Sequence, residues 1–113
     1  MKNEINQIKK LLSALDTSED INISFNNETP FEIGQKYFIR SVTHYYTGEC
    51  VSITGKFITL DTAAWIADTG RFTQAIANGL FSEVEPIGNG LILNSDSIID
   101  AIPVKWKLPT EQK

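Results

Sequence analysis

Cysteine, histidine and methionine each occur once in the 113 residues, and arginine only twice. The lone cysteine, Cys50, excludes an intrachain disulfide and any multi-cysteine metal site. It fits a reducing compartment. With His44 as the one histidine, histidine-based zinc coordination lacks ligands. No apolar run approaches the ~18 residues of a membrane span. The N-terminal MKNEINQIKK lacks the continuous apolar stretch of a secretion signal, so a cytoplasmic protein is expected. Positive charge is also short, with 10 Lys and Arg against 14 Asp and Glu and a net charge of −4. A sequence-independent phosphate binder leans the other way, although a local basic pocket remains open.

What is present describes an ordinary globular chain. Hydrophobic residues make up 42% and charged residues 21%, the composition of a soluble domain. The length suits one domain with a real core. Ile5, Ile8, Leu12 and Leu15 recur at helical spacing, with Leu11 widening the stripe. This predicts an N-terminal helix that docks on its own domain or on another subunit, since three or four turns are marginal alone. Residues 16–35 are polar and broken by Pro30 and Gly34, and read as a linker with one edge strand near Ile21–Phe25. The expected division is helix and linker over 1–35, a β domain over 36–107 with an insertion at 62–80, and a disordered tail over 108–113.

From Lys36 the apolar period changes to two. Tyr37 to Tyr46 reads as one long, bent strand broken by Gly48. Val51 and Ile53 then share one face, and Ile58 and Leu60 share a face of the return strand across a tight Thr54-Gly55-Lys56 turn. Asp61-Thr62 closes that pair, and Ala63–Ala67 is expected to be a turn or short helix. Arg71–Asn78 follows as a helix with Phe72, Ala75 and Ile76 inward and Gly79 after its end. Three short strands complete the chain, at Ser82–Glu85 stopped by Pro86, at Leu91–Leu93, and at Ser97–Ile102 stopped by Pro103. The class is α+β, mainly β.

Two resemblances add to this. Gly48-Glu49-Cys50-Val51-Ser52-Ile53 with Phe57–Asp61, and Gly90–Leu93 with Ser97–Ile102, resemble the central and final strand pairs of SH3-like and Sm-like small barrels. That resemblance implies a small barrel with an N-terminal helix and a helical insertion between strands. Sm-like proteins form rings and bind RNA. Here Asn89-Gly90 stands where the second Sm motif has a basic residue beside its glycine, so the resemblance carries assembly further than RNA binding. The segments YFIRSVTHYYTG (Tyr37–Gly48) and AAWIADTGRF (Ala63–Phe72) are similar to a family of small uncharacterised phage and prophage proteins. That resemblance implies a phage context, hence the cytosol of a host cell, and no particular activity.

The chemistry is sparse. A Ser-His-Asp or Cys-His arrangement would have to use His44, and Cys50 lies six residues on with no supporting motif. Glu83 and Glu85 point to one side of their strand, as cation-binding or hydrolytic pairs can; a solvated face explains them too. Asn94, Asp96 and Asp100 lack the glycine and final glutamate of a calcium loop. No cofactor and no metal is expected. What stands out is a set of aromatics around the two arginines. Arg40, His44, Tyr45 and Tyr46 are assigned to one strand, and Trp65, Arg71 and Phe72 to the connection. Arginine beside aromatic rings suits planar anions. The competing account makes Trp65 and Phe72 core and pairs the arginines with acids.

Three readings follow. The first is a non-catalytic binding protein of phage type, homo-oligomeric, that holds a small nucleotide-like anion such as a host-defence signal. The second is a virion or assembly component that uses its helix and barrel edges. The third is an enzyme, which lacks an evident nucleophile, base and metal ligands. A membrane partner is not expected, and an RNA-binding ring is a further alternative.

Overall fold

In the computed structural model of the chain, residues 29–113 are described. The expected helix at Ile5, Ile8, Leu12 and Leu15 and the strand near Ile21–Phe25 lie outside the described residues. Phe31–Lys113 forms one compact unit. Its elements are β1 (Lys36–Ser41), β2 (Tyr45–Thr54), β3 (Phe57–Asp68), α1 (Phe72–Asn78), β4 (Glu83–Gly88), β5 (Leu91–Asn94), a 3-10 turn (Ser95–Ser97) and β6 (Ile98–Val104). The strands form one sheet in the order β4-β3-β2-β1-β6, and β5 also pairs with β3. All of these pairings are antiparallel. The mainly β class is as expected.

The chain does not break at Gly48. It turns at Val42-Thr43-His44, where the Ser41 hydroxyl and amide both donate to the His44 carbonyl at 2.8 Å. Gly48 sits inside β2 opposite Tyr37. A Cβ there would lie 2.9 Å from the Leu60 Cβ, so this glycine permits a close strand approach instead of ending the strand. The predicted β2–β3 hairpin is present. Thr54 pairs with Phe57, and Gly55 takes a φ of 60° in the turn between them.

One bulge alters the expected core. The β2–β3 register shifts between Cys50 and Ser52, so Val51 is the extra residue. Cys50 is buried, and Ile53 packs against the same cluster. Val51 is only half-buried and belongs to neither core cluster.

β3 runs further than expected. Asp61-Thr62 does not close the hairpin, and Ala63–Ala67 is strand, not turn or helix. β2 lies along one edge of β3. The other edge is divided: β5 pairs with Phe57–Leu60, and β4 with the stretch from Ala63 to Asp68. Thr62 stands at the division with φ 51°, a left-handed conformation that is uncommon for a β-branched residue. The β4–β5 turn holds it there. Thr62 N–H donates to Asn89 Oδ1 at 2.9 Å, and Gly90 N–H donates to Asp61 Oδ1 at 3.1 Å and to the Leu60 carbonyl at 3.0 Å.

Side chains alternate between two apolar clusters, one on each face of the sheet. Tyr37, Ile39, Cys50, Ile58, Leu60, Ala63 and Leu93 are buried in the first. The second contains Phe38, Ala64, Ile66, Ala75, Phe81, Val84 and Val104. α1 covers the second through Ala75 and Ile76. It ends as predicted on Gly79, φ 71°. A side chain at Gly79 would collide with Trp106, whose ring lies 2.5 Å from an ideal Cβ. Trp106 Nε1–H donates to the Ile76 carbonyl at 2.7 Å, which serves one of the open carbonyls of the helix end. Phe72, expected inward, remains 44% exposed and meets the Phe38 ring only edge-on, at 6.0 Å.

Pro86 and Pro103 lie inside strands instead of ending them. β4 and β6 are the ends of the main strand order, where a missing N–H is tolerated. On β4 the Val84 amide already points outward, to the Lys113 carbonyl at 3.0 Å. Two residues on, the Pro86 nitrogen points the same way, so no bond within the sheet is lost. The same pairing engages the end of the 108–113 segment. Lys113 N–H returns the bond to the Val84 carbonyl at 3.0 Å, and Leu108 is buried.

Candidate functional site

The seven residues singled out around the arginines are not one constellation. Arg40 is on β1, His44 in the turn, and Tyr45 and Tyr46 on β2, so they do not share one strand. Alternation then divides them between the two faces. Arg40 lies opposite Tyr45, and Tyr45 and Phe72 both meet Phe38 of the second cluster. Tyr46 packs against the first cluster and lies opposite Trp65. His44 joins this side, stacked on Tyr46 at 5.9 Å and edge-on to Trp65 at 5.4 Å.

Arg40 is occupied. β6 places Asp100 opposite it, and the guanidinium grips that carboxylate through Nε at 3.0 Å and through Nη2. Hydrogen bonding to Arg40 lowers the Asp100 pKa, and hydrogen bonding to Asp100 raises that of Arg40. For this arginine the competing account holds.

The other candidates have local roles. His44 Nδ1 lies 2.6 Å from Thr43 Oγ1. Cys50 is buried, and burial raises its thiol pKa. It sits four residues along β2 from Tyr46, roughly 13 Å by strand rise, so it does not share the His44 cluster. Glu83 and Glu85 lie opposite Asp68 and Trp65, and Glu85 accepts a long bond from Gln112 Nε2 at 3.4 Å. Asp96 pairs with Lys56 at 2.7 Å, while its amide is capped by Asn94 Oδ1 at 2.9 Å. Among the described residues no three His, Cys, Asp or Glu side chains group as metal ligands.

Arg71 differs from Arg40. It is the exposed N-cap residue of α1 and forms no ion pair with a described residue. It lines a groove of about 430 Å³ with Thr69, Gln74, Ser82 and Lys113 over Leu80 and Phe81. Gly70 permits that wall, because a Cβ there would reach the Ser82 Oγ at 2.6 Å. No acidic residue lines this groove. Lys113 was missed because its place depends on the pairing with Val84, for which the sequence carries no local signal.

No protein-family model matches the chain, and no curated protein matches it in sequence. No helix among the described residues is long and apolar enough to cross a membrane.

Proposed function

We propose that the chain is a non-catalytic binding protein of phage type that holds a small nucleotide-like anion, with the Arg71–Lys113 groove as its anion contact. One observation carries this reading. Two cations without a described ion-pair partner line a groove that has no acidic side chain, in a chain whose net charge is −4. Arginine grips phosphate bidentately, and the Thr69, Gln74 and Ser82 side chains offer further hydrogen bonds. The similarity of Tyr37–Gly48 and Ala63–Phe72 to small phage proteins supports the setting, in a host cytosol. The test is thermal. Saturating nucleotide raises the melting temperature, since a ligand at 100 times its Kd adds about 2.7 kcal/mol. Arg71→Ala removes the rise, and Arg40→Ala does not. No shift across a broad nucleotide panel would sink the reading.

The proposal includes a finer fold. The strand order β6-β1-β2-β3-β5, with a 3-10 turn leading from β5 into β6, supports an SH3-like or Sm-like barrel with α1 and β4 inserted before its fourth strand. So does the first cluster, which takes side chains from all five of those strands.

A second reading, an assembly component, is favoured by a different surface. Phe57 is 47% and Ile92 62% exposed, and the register places them diagonally on one side of the β3–β5 pair. Both readings include self-association, with Ile5, Ile8, Leu12 and Leu15 as the proposed contact. A strict monomer in native mass spectrometry at tens of micromolar would remove that part.

A further inference from the structure

The Arg71 groove has a continuation. A second groove of about 430 Å³ is lined by Lys107, Leu108 and Glu111, among others. Asn78, Leu80, Phe81 and Lys113 line both grooves. The two therefore form one trough, and Leu80, 68% exposed, stands within it.

The positive charges are spread along this trough. Arg71 marks the start of α1. Lys107 follows Trp106, whose ring covers Gly79 at the other end of that helix. α1 has seven residues, so these two positions differ by roughly its 10 Å length. Lys113 lines both grooves, and its backbone is paired with Val84. None of the three cations forms an ion pair with a described residue. Glu111 is the single acidic residue in the lining.

We propose that this trough takes an elongated ligand with two phosphate groups, joined through a nucleoside whose base covers Leu80. A 5′-phosphorylated dinucleotide belongs to this class. The inference rests on the reading of the Arg71 groove as an anion site and adds a second anion contact at Lys107. A single phosphate engages one end and leaves Leu80 exposed. A ligand with two phosphates engages both ends and buries the leucine.

Calorimetric titration of the full chain with inorganic phosphate, AMP and 5′-phosphorylated diadenylate tests it. The diadenylate binds about tenfold or more tighter than AMP, as one further charge-assisted contact implies. Lys107→Ala and Leu80→Ser each bring the diadenylate down to the affinity of AMP. Glu111→Gln tightens the diadenylate, and Lys56→Ala, on the β2–β3 turn, changes nothing. These side chains are exposed, and a melting curve for each variant separates lost binding from lost folding. Equal affinity for AMP and the diadenylate, or an unaltered affinity in Lys107→Ala, overturns the two-phosphate proposal and leaves the Arg71 site standing. Failure of all three anions to bind overturns both.

Discussion

The two halves of β3 are one strand with opposite surroundings. Phe57–Leu60 runs between β2 and β5. Ile58 and Leu60 are buried there, while Phe57 is exposed and Thr59 half-buried. Beyond Thr62, Ala63 belongs to the first cluster and Ala64 and Ile66 to the second. Apolar residues on both faces erase the period-two pattern. The first half therefore announces itself as a strand and the second does not. The same division governs the arginines. Both stand beside aromatics in sequence. Arg40 is neutralised by Asp100 across the sheet, whereas Arg71 stands at a helix start beside an open groove.

Substitutions can break this comparison. The largest effect belongs to the first half. Leu60→Ala removes a fully buried side chain and lowers stability by about 2–5 kcal/mol in urea unfolding. In the second half the opposite change is damaging, because Ala64 is fully buried between packed neighbours. Ala64→Leu costs about 1–3 kcal/mol through overpacking. Equal tolerance of larger side chains at Ala64 and at exposed Phe57 would erase the distinction. Gly48→Ala costs a similar ~1–3 kcal/mol, because the opposing atom is the Leu60 Cβ, which the backbone fixes.

Smaller effects sharpen it. Thr62→Gly relieves the left-handed φ at the junction and stabilises by roughly 0.5–1 kcal/mol after the added chain entropy of glycine. A loss of stability there would mean that the threonine side chain matters more than its backbone strain. Thr47 is fully buried beside the second half, and its hydroxyl has no hydrogen-bond partner. Thr47→Val keeps the shape and raises stability by about 1 kcal/mol. The smallest effect is that of pH on Asp100. Its folded pKa is lowered by Arg40, so its contribution is present above the unfolded carboxylate pKa and is lost as acid protonates the folded group. Solvent exposure keeps it slight. Asp100→Asn flattens the acid limb of the stability profile only marginally.

Much of the fold was legible where one face meets water. The β2–β3 hairpin follows from Gly55 and the alternation of Ile58 and Leu60. The helix end follows from Gly79. The misreadings share a cause, which is a local residue acting on a distant partner. Gly48 reads locally as a break, yet Leu60 lies against it from the next strand. Pro86 reads locally as a stop, yet its nitrogen faces away from β3. Tyr46 and Trp65 look like companions of Arg40 in sequence, yet alternation puts them through the sheet from it. Of the candidate site, Arg71 was legible as a cation in an elaborated connection. Lys107 and Lys113 were not, because the segment that carries them is ordered by Leu108 burial and a bridge to Val84.

Residue order alone determined the mainly β class, the hairpin, the helical insertion and the scarcity of histidine and cysteine. Each depends on neighbours within a few positions, and turn chemistry and apolar period record such neighbours directly. Tertiary structure decided which arginine is occupied, which face each aromatic takes and which cations share a trough. Those outcomes depend on strand register and bulges, and a shift of one residue reverses every side chain.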